Sequence, residues 1–233
     1  MNIHSLSVAT IGLSLLASSS HAELTYLKPN VDEATPADVF AGLYGSSFTP
    51  SGLDFTDGSI VARRVADDRD QFWTGTFTTQ VVARYSGFSQ SLGALSKGKY
   101  QDLVEATGMG FDQTGDENTV SLDDGVWVRF GDSGTHSSAP QYNEDGRDHL
   151  ITYHIESSDP SPVWVLFWED LDMDSSLTKG RSSSDFNDLV VMVREIDVPG
   201  APIAVPLPGA FGVGLATLGL GGFVFRKRLS IAR

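Results

Sequence analysis

Residues 163–168, VWVLFW, are apolar at every position, the pattern of a strand covered on both faces, whereas residues 125–130, GVWVRF, alternate. Side chains alternate sides along a strand, so Val126, Val128 and Phe130 fall on one face and Trp127 and Arg129 on the other. Comparable runs bounded by Gly, Asp, Asn, Ser or Pro predict strands over 59–65, 76–85, 149–156 and 189–196. Helix is scarce. Thr35 as N-cap, Pro36 at the first helical position and Asp38 in the first turn predict a short helix over Pro36–Tyr44, and Lys99–Ala106 is a second helix candidate. Residues 131–148, rich in Gly, Ser and Asp, read as a loop. Several short strands with turn clusters between them make the fold class all-β: an antiparallel β-sandwich, jelly-roll-like, with one or two short helices.

Two terminal segments stand apart. Residues 8–17 are uncharged and mostly apolar, small residues follow, and Ser20-His21-Ala22 precedes Glu23, so 1–22 reads as a secretory signal peptide cleaved after Ala22. At the other end no residue from Val198 to Phe225 is charged, and Arg226, Lys227 and Arg228 follow. Residues 209–228 therefore read as a C-terminal transmembrane helix with a basic stop. Roughly 17 residues at about 1.5 Å each just span the hydrocarbon, and the basic cluster stays cytoplasmic while everything before it lies outside. That leaves 23–198 as the β-sandwich domain, 199–208 as a linker and 229–233 as a tail.

All 30 acidic residues lie between these ends, while Arg226, Lys227, Arg228 and Arg233 lie beyond the domain, which is thus more acidic than the formal −14 of the whole chain. Such a domain repels nucleic acid and anionic lipid, which leaves cations, neutral glycans and other proteins as partners. Cysteine is absent from a chain that reads as exported, so no disulfide ties its loops and a divalent metal is one substitute. About 180 residues bury a single core unaided.

The chemistry concentrates where the two most apolar strands end. Glu169, Asp170, Asp172, Asp174, Asp185 and Asp188 fall between VWVLFW and the run that starts at Leu189. If these strands pair antiparallel, Asp170 and Asp172 face Asp185, Asn187 and Asp188 at one edge of the sheet. Crowded carboxylates must be protonated, matched by cations or bridged by an ion. The candidate ligands are Asp170, Asp172, Asp174, Asp185, Asn187 and Asp188, and oxygen donors without His or Cys point to calcium rather than zinc. The alternatives are a solvated hairpin end in which Lys179 and Arg181 pair with some acids, and a catalytic carboxylate pair. An EF-hand is excluded: counting from Asp170, the sixth residue is Ser175 rather than Gly and the twelfth is Arg181 rather than Glu.

Other signals are weaker. Gly131-Asp132-Ser133-Gly134 matches the nucleophile loop of chymotrypsin-like proteases, but the histidines before Ser133 are His4 and His21, both in the signal, so it reads as a turn. His136, His149 and His154 lack metal-ligand spacing, and His154 reads as a half-exposed sheet residue. Trp73, Trp127, Trp164 and Trp168, with Tyr85 and Tyr153, would either fill the core or form a platform for sugar rings. Asp67, Asp68 and Asp70 read as a solvated turn.

Two resemblances extend this reading. Val205-Pro206-Leu207-Pro208, the glycine-rich apolar stretch and Arg226-Lys227-Arg228 together resemble the PEP-CTERM sorting signal of Gram-negative bacteria, with Leu207 where the commonest form has Glu. The resemblance implies processing by an exosortase-type enzyme after transit through the inner membrane, then a cell-surface or extracellular location. Phe167-Trp168-Glu169-Asp170-Leu171 and Ser184-Asp185-Phe186-Asn187-Asp188-Leu189, with Asp148-His149-Leu150 before a strand, resemble the end of a bacterial β domain that closes in a D-[FY]-N-D motif. That resemblance implies a β-sandwich, calcium dependence and no catalysis. The expected function is thus a calcium-stabilised structural or binding protein of the cell surface or matrix, not an enzyme, with exopolysaccharide as a candidate partner. A glycan-binding module and a glycoside hydrolase are the alternatives.

Overall fold

The computed structural model describes residues 34–196, except 88, 107–108, 112–116, 132–133, 159–160 and 171–184. The expected signal peptide, linker, sorting motif and transmembrane helix lie outside these residues, as do Asp172, Asp174, Lys179 and Arg181. Among the described residues no helix is long and apolar enough to cross a membrane.

Among the described residues one short α-helix, α1 (Pro36–Tyr44), precedes twelve strands: β1 (Thr49–Ser51), β2 (Asp54–Thr56), β3 (Val61–Arg64), β4 (Trp73–Arg84), β5 (Gln90–Ser96), β6 (Lys99–Ala106), β7 (Gly110–Phe111), β8 (Asn118–Gly131), β9 (Gly134–Ser137), β10 (Leu150–Glu156), β11 (Val163–Trp168) and β12 (Leu189–Glu195). The paired strands run antiparallel in the order β1-β2-β3-β10-β11-β12-β4-β8-β5-β6, with β7 added to β4 and β9 to β8. The all-β expectation holds in this form.

β8 is the strand on which the sheet turns over. Its first half pairs with β4 and its second half, from Val126 onward, pairs with β5. Between the halves sit Asp124, in the left-handed region at φ 54, and Gly125, where a Cβ would come within 3.1 Å of the Leu95 carbonyl. The fold-over brings β5, β6 and the end of β8 opposite β4, β11 and β12, whose inward residues share one core. Trp73 is its centre, with ring centroids 5.8 Å from Trp127 and 5.4 Å from Trp164, both edge-on. As the alternation predicts, Trp127 enters this core while Val126, Val128 and Phe130 pack on the opposite face with Phe72 and Ala139.

α1 covers the other side of the β10–β12 sheet. Thr35 and Asp38 form a reciprocal capping box, and Gly45 ends the helix at φ 70. Phe40, fully buried, lies with its ring centroid 5.3 Å from Tyr153 and 5.6 Å from Phe167.

Two expectations are corrected. Lys99–Ala106 is strand β6, not a helix: Lys97 and Gly98, both at positive φ, make a tight turn of the type hairpins prefer, and β6 then pairs along its length with β5. Strand pairing overrides a helical propensity too weak to stand alone. The expected loop over 131–148 contains β9 and a single 3₁₀ turn at Pro140–Tyr142.

Candidate metal centre

β11 and β12 pair as expected, in a register that sets Trp168 against Leu189. One step further along this register, Glu169 stands opposite Asp188. The chain reaches β12 through Phe186, held at φ 53. A bulky residue there costs about 1–2 kcal/mol, offset by complete burial of its ring beneath α1. The result is that carboxylate oxygens of Glu169, Asp185 and Asp188 lie within 4.8 Å of one another, with Glu169 and Asp185 buried.

The backbone N–H of Asp170 donates to Asp188 Oδ2 at 2.8 Å, fixing that carboxylate against the end of β11. Burial first, then the charges of Glu169 and Asp170, push the Asp188 carboxyl up to about 9. Without a cation this group therefore holds a proton at neutral pH. Arg129 is the counter-charge supplied by the core. Its guanidinium, fully buried, donates to Gln90 Oε1 at 3.1 Å and to the Asp170 and Gly134 carbonyls at 3.3 Å. Burial lowers the pKa of this one guanidinium, while Asp170, Asp188 and Glu169 all act on it.

The residues fit a hard cation. Oxygens bound to one calcium at about 2.3–2.6 Å are separated by at most about 5 Å, which the 4.8 Å spread satisfies. Next to Asp188 in the chain, Asn187 Nδ2 donates to the Ala34 carbonyl at 2.8 Å, and its buried Oδ1 has no hydrogen-bond partner among the described residues.

Of the expected ligands, Asp185 and Asp188 come together with Asn187 between them, and Asp172 and Asp174 lie outside the described residues. Asp170 is redirected. Its Oδ2 accepts hydrogen bonds from the Ser86 hydroxyl and, at 2.7 Å, from Gln90 Nε2, which holds it toward the core. Glu169, which the sequence pattern does not single out as a ligand, takes its place. The signal was the strand register, which puts Glu169 across from Asp188.

Four other expectations meet the structure. His136 and His149, thirteen residues apart, stack with ring centroids 3.7 Å apart, and His149 Nε2 lies 3.1 Å from Asp145 Oδ2. Burial, then the His149 and Arg129 charges, lower His136 to about 3, so it is neutral at physiological pH. Gly131 and Gly134 pair at the ends of β8 and β9, while Asp132 and Ser133 of the expected turn lie outside the described residues. Asp70 does not sit in a solvated turn: it is fully buried, and burial and the Asp148 charge hold its carboxyl well above the usual range. The four tryptophans are buried and offer no platform for a sugar.

No family model matches the chain, and no curated protein matches it.

Proposed function

We propose that the chain is a non-catalytic, exported module, a jelly-roll-like β-sandwich whose acidic strand ends hold a calcium ion, serving as a structural or binding protein at the cell surface. The supporting observation is the convergence of Glu169, Asp185 and Asp188 within 4.8 Å in a buried setting. Burial also favours an ion over catalysis, because a glycosidase needs its two carboxylates about 5 to 10 Å apart across a cleft wide enough for a sugar ring. Bound calcium would join the end of β11 to the start of β12 and, through Asn187 and Ala34, to the entry of α1. At 100 times its dissociation constant it adds about 2.7 kcal/mol to stability.

Thermal melts in millimolar calcium and in chelator test this reading. A melting temperature that rises with calcium supports it, and identical melts reject it. Export and sorting rest on the terminal segments. Mass spectrometry of the mature chain would find new termini near Ala22 and the Val205–Pro208 motif if exosortase-type processing takes place.

A further inference from the structure

The outer face of the β8-β5-β6 sheet carries a groove of about 440 Å³ lined by Ser89, Gln90, Ser91, Asp102, Glu105, Phe130 and Gly131. Beside it stands Tyr100, 45% exposed, its ring centroid 4.9 Å from that of Phe130 and edge-on to it. Tyr100 lies directly on Gly93: a Cβ at that position would fall 2.2 Å from the phenol oxygen and 2.4 Å from a ring carbon. The missing side chain is what lets an aromatic ring settle against the sheet backbone instead of standing away from it.

The polar groups of the groove divide into two sets. Gln90 is buried and spent, its amide donating to Asp170 and its carbonyl accepting from Arg129. It braces the floor. Asp102 and Glu105 are exposed, and Ser91 is half-exposed. The Tyr100 hydroxyl donates to Asp102 Oδ1 at 3.3 Å, which orients that carboxylate at the end of the ring. A carboxylate keeps further acceptor sites after one such bond.

We propose that this groove binds a neutral glycan, with the Tyr100–Phe130 pair as the apolar platform and Asp102 and Glu105 accepting hydrogen bonds from sugar hydroxyls. A pyranose offers an apolar face of C–H groups and a rim of hydroxyl donors, which match an aromatic face flanked by carboxylates. Anionic glycans are disfavoured by Asp102, Glu105 and the chain's net charge of −14. The inference goes beyond the calcium reading and does not depend on it, because the groove residues are in place without an ion.

The test is an array of neutral gluco-, galacto-, manno- and N-acetylglucosamine oligosaccharides with uronate and sulfated oligosaccharides beside them, probed with the purified protein and with Tyr100→Ala and Gly93→Ala. Gly93→Ala displaces an exposed, movable side chain, so it removes the platform while leaving the core intact. The expected result is retention on at least one neutral series, weakened tenfold or more in both variants, with melting temperatures near that of the wild type. Absence of retention, equal binding by Tyr100→Ala, or binding confined to charged sugars would overturn the proposal. Since calcium melts are read separately, failure here leaves the metal reading standing.

Discussion

Asp188→Asn separates the cost of the buried carboxylate from its use. The substitution is isosteric: the amide oxygen can still accept from the Asp170 N–H, and the new NH₂ can donate to Glu169. With the folded value pushed up to about 9, ionising Asp188 at pH 7 in the metal-free protein costs about 3 kcal/mol. The folded state keeps this proton while the unfolded state releases it near the ordinary 3.8, so metal-free stability falls as pH rises between those values. Asn carries no such penalty. In chelator, the variant should equal the wild type near pH 4 and gain on it by about 1.4 kcal/mol per pH unit towards pH 9. In calcium at pH 7 the variant's lead should shrink by about 2.7 kcal/mol, the stabilisation that the wild type gains at 100 times the dissociation constant and that the variant, lacking a ligand, forgoes. Urea unfolding of both proteins at pH 5, 7 and 8.5, with calcium and with chelator, reads all the terms. Equal destabilisation by Asp188→Asn in both media would show that the carboxylate is a plain structural group and refute the reasoning.

Three further outcomes follow from the packing. Phe40→Ala removes the side chain that joins α1 to the sheet through Tyr153 and Phe167, and should cost about 3–5 kcal/mol in urea unfolding. Gly131→Ala places a Cβ 2.8 Å from Arg129 Nη1 and 2.9 Å from the Ser89 carbonyl, so a loss of about 1–3 kcal/mol is expected from a backbone that cannot yield. A wild-type-like melting temperature would contradict that contact. His136, lowered to about 3 by burial and its charged neighbours, is neutral in the fold while the unfolded chain protonates it from 6.5 downward. Stability is therefore lost as pH falls, and His136→Gln should gain on the wild type by about 1.4 kcal/mol per pH unit between those values. A gap that does not change with pH would contradict a buried neutral imidazole.

The parts of this molecule written in short-range pattern are those the sequence displays. VWVLFW is apolar throughout because β11 lies between β10 and β12 with α1 on one side and the second layer on the other. Thr35-Pro36-Ala37-Asp38 announces α1 because a capping box is local. β6 is hidden because its first four residues are exposed, so it shows no alternation until Leu103. β9 is hidden because it lies in a stretch rich in Gly, Ser and Asp that reads as a loop. The acidic edge was legible as a location, since antiparallel pairing of β11 and β12 necessarily brings its carboxylates together. Which acid points where was not. Glu169 enters through register, Asp170 leaves through Ser86 and Gln90, and Arg129 arrives from a strand some forty positions earlier. Each depends on contacts between distant segments, as does the stacking of His136 on His149.

The central claim is that the repulsion among buried strand-end acids is relieved by a shared ion. A crystal structure grown in millimolar calcium, with anomalous data, tests it most directly. The account predicts a single strong peak bounded by Glu169, Asp185 and Asp188, with oxygens at about 2.3–2.6 Å. Well-ordered carboxylates at that edge with no peak between them, paired instead through shared protons or turned to water, would contradict it.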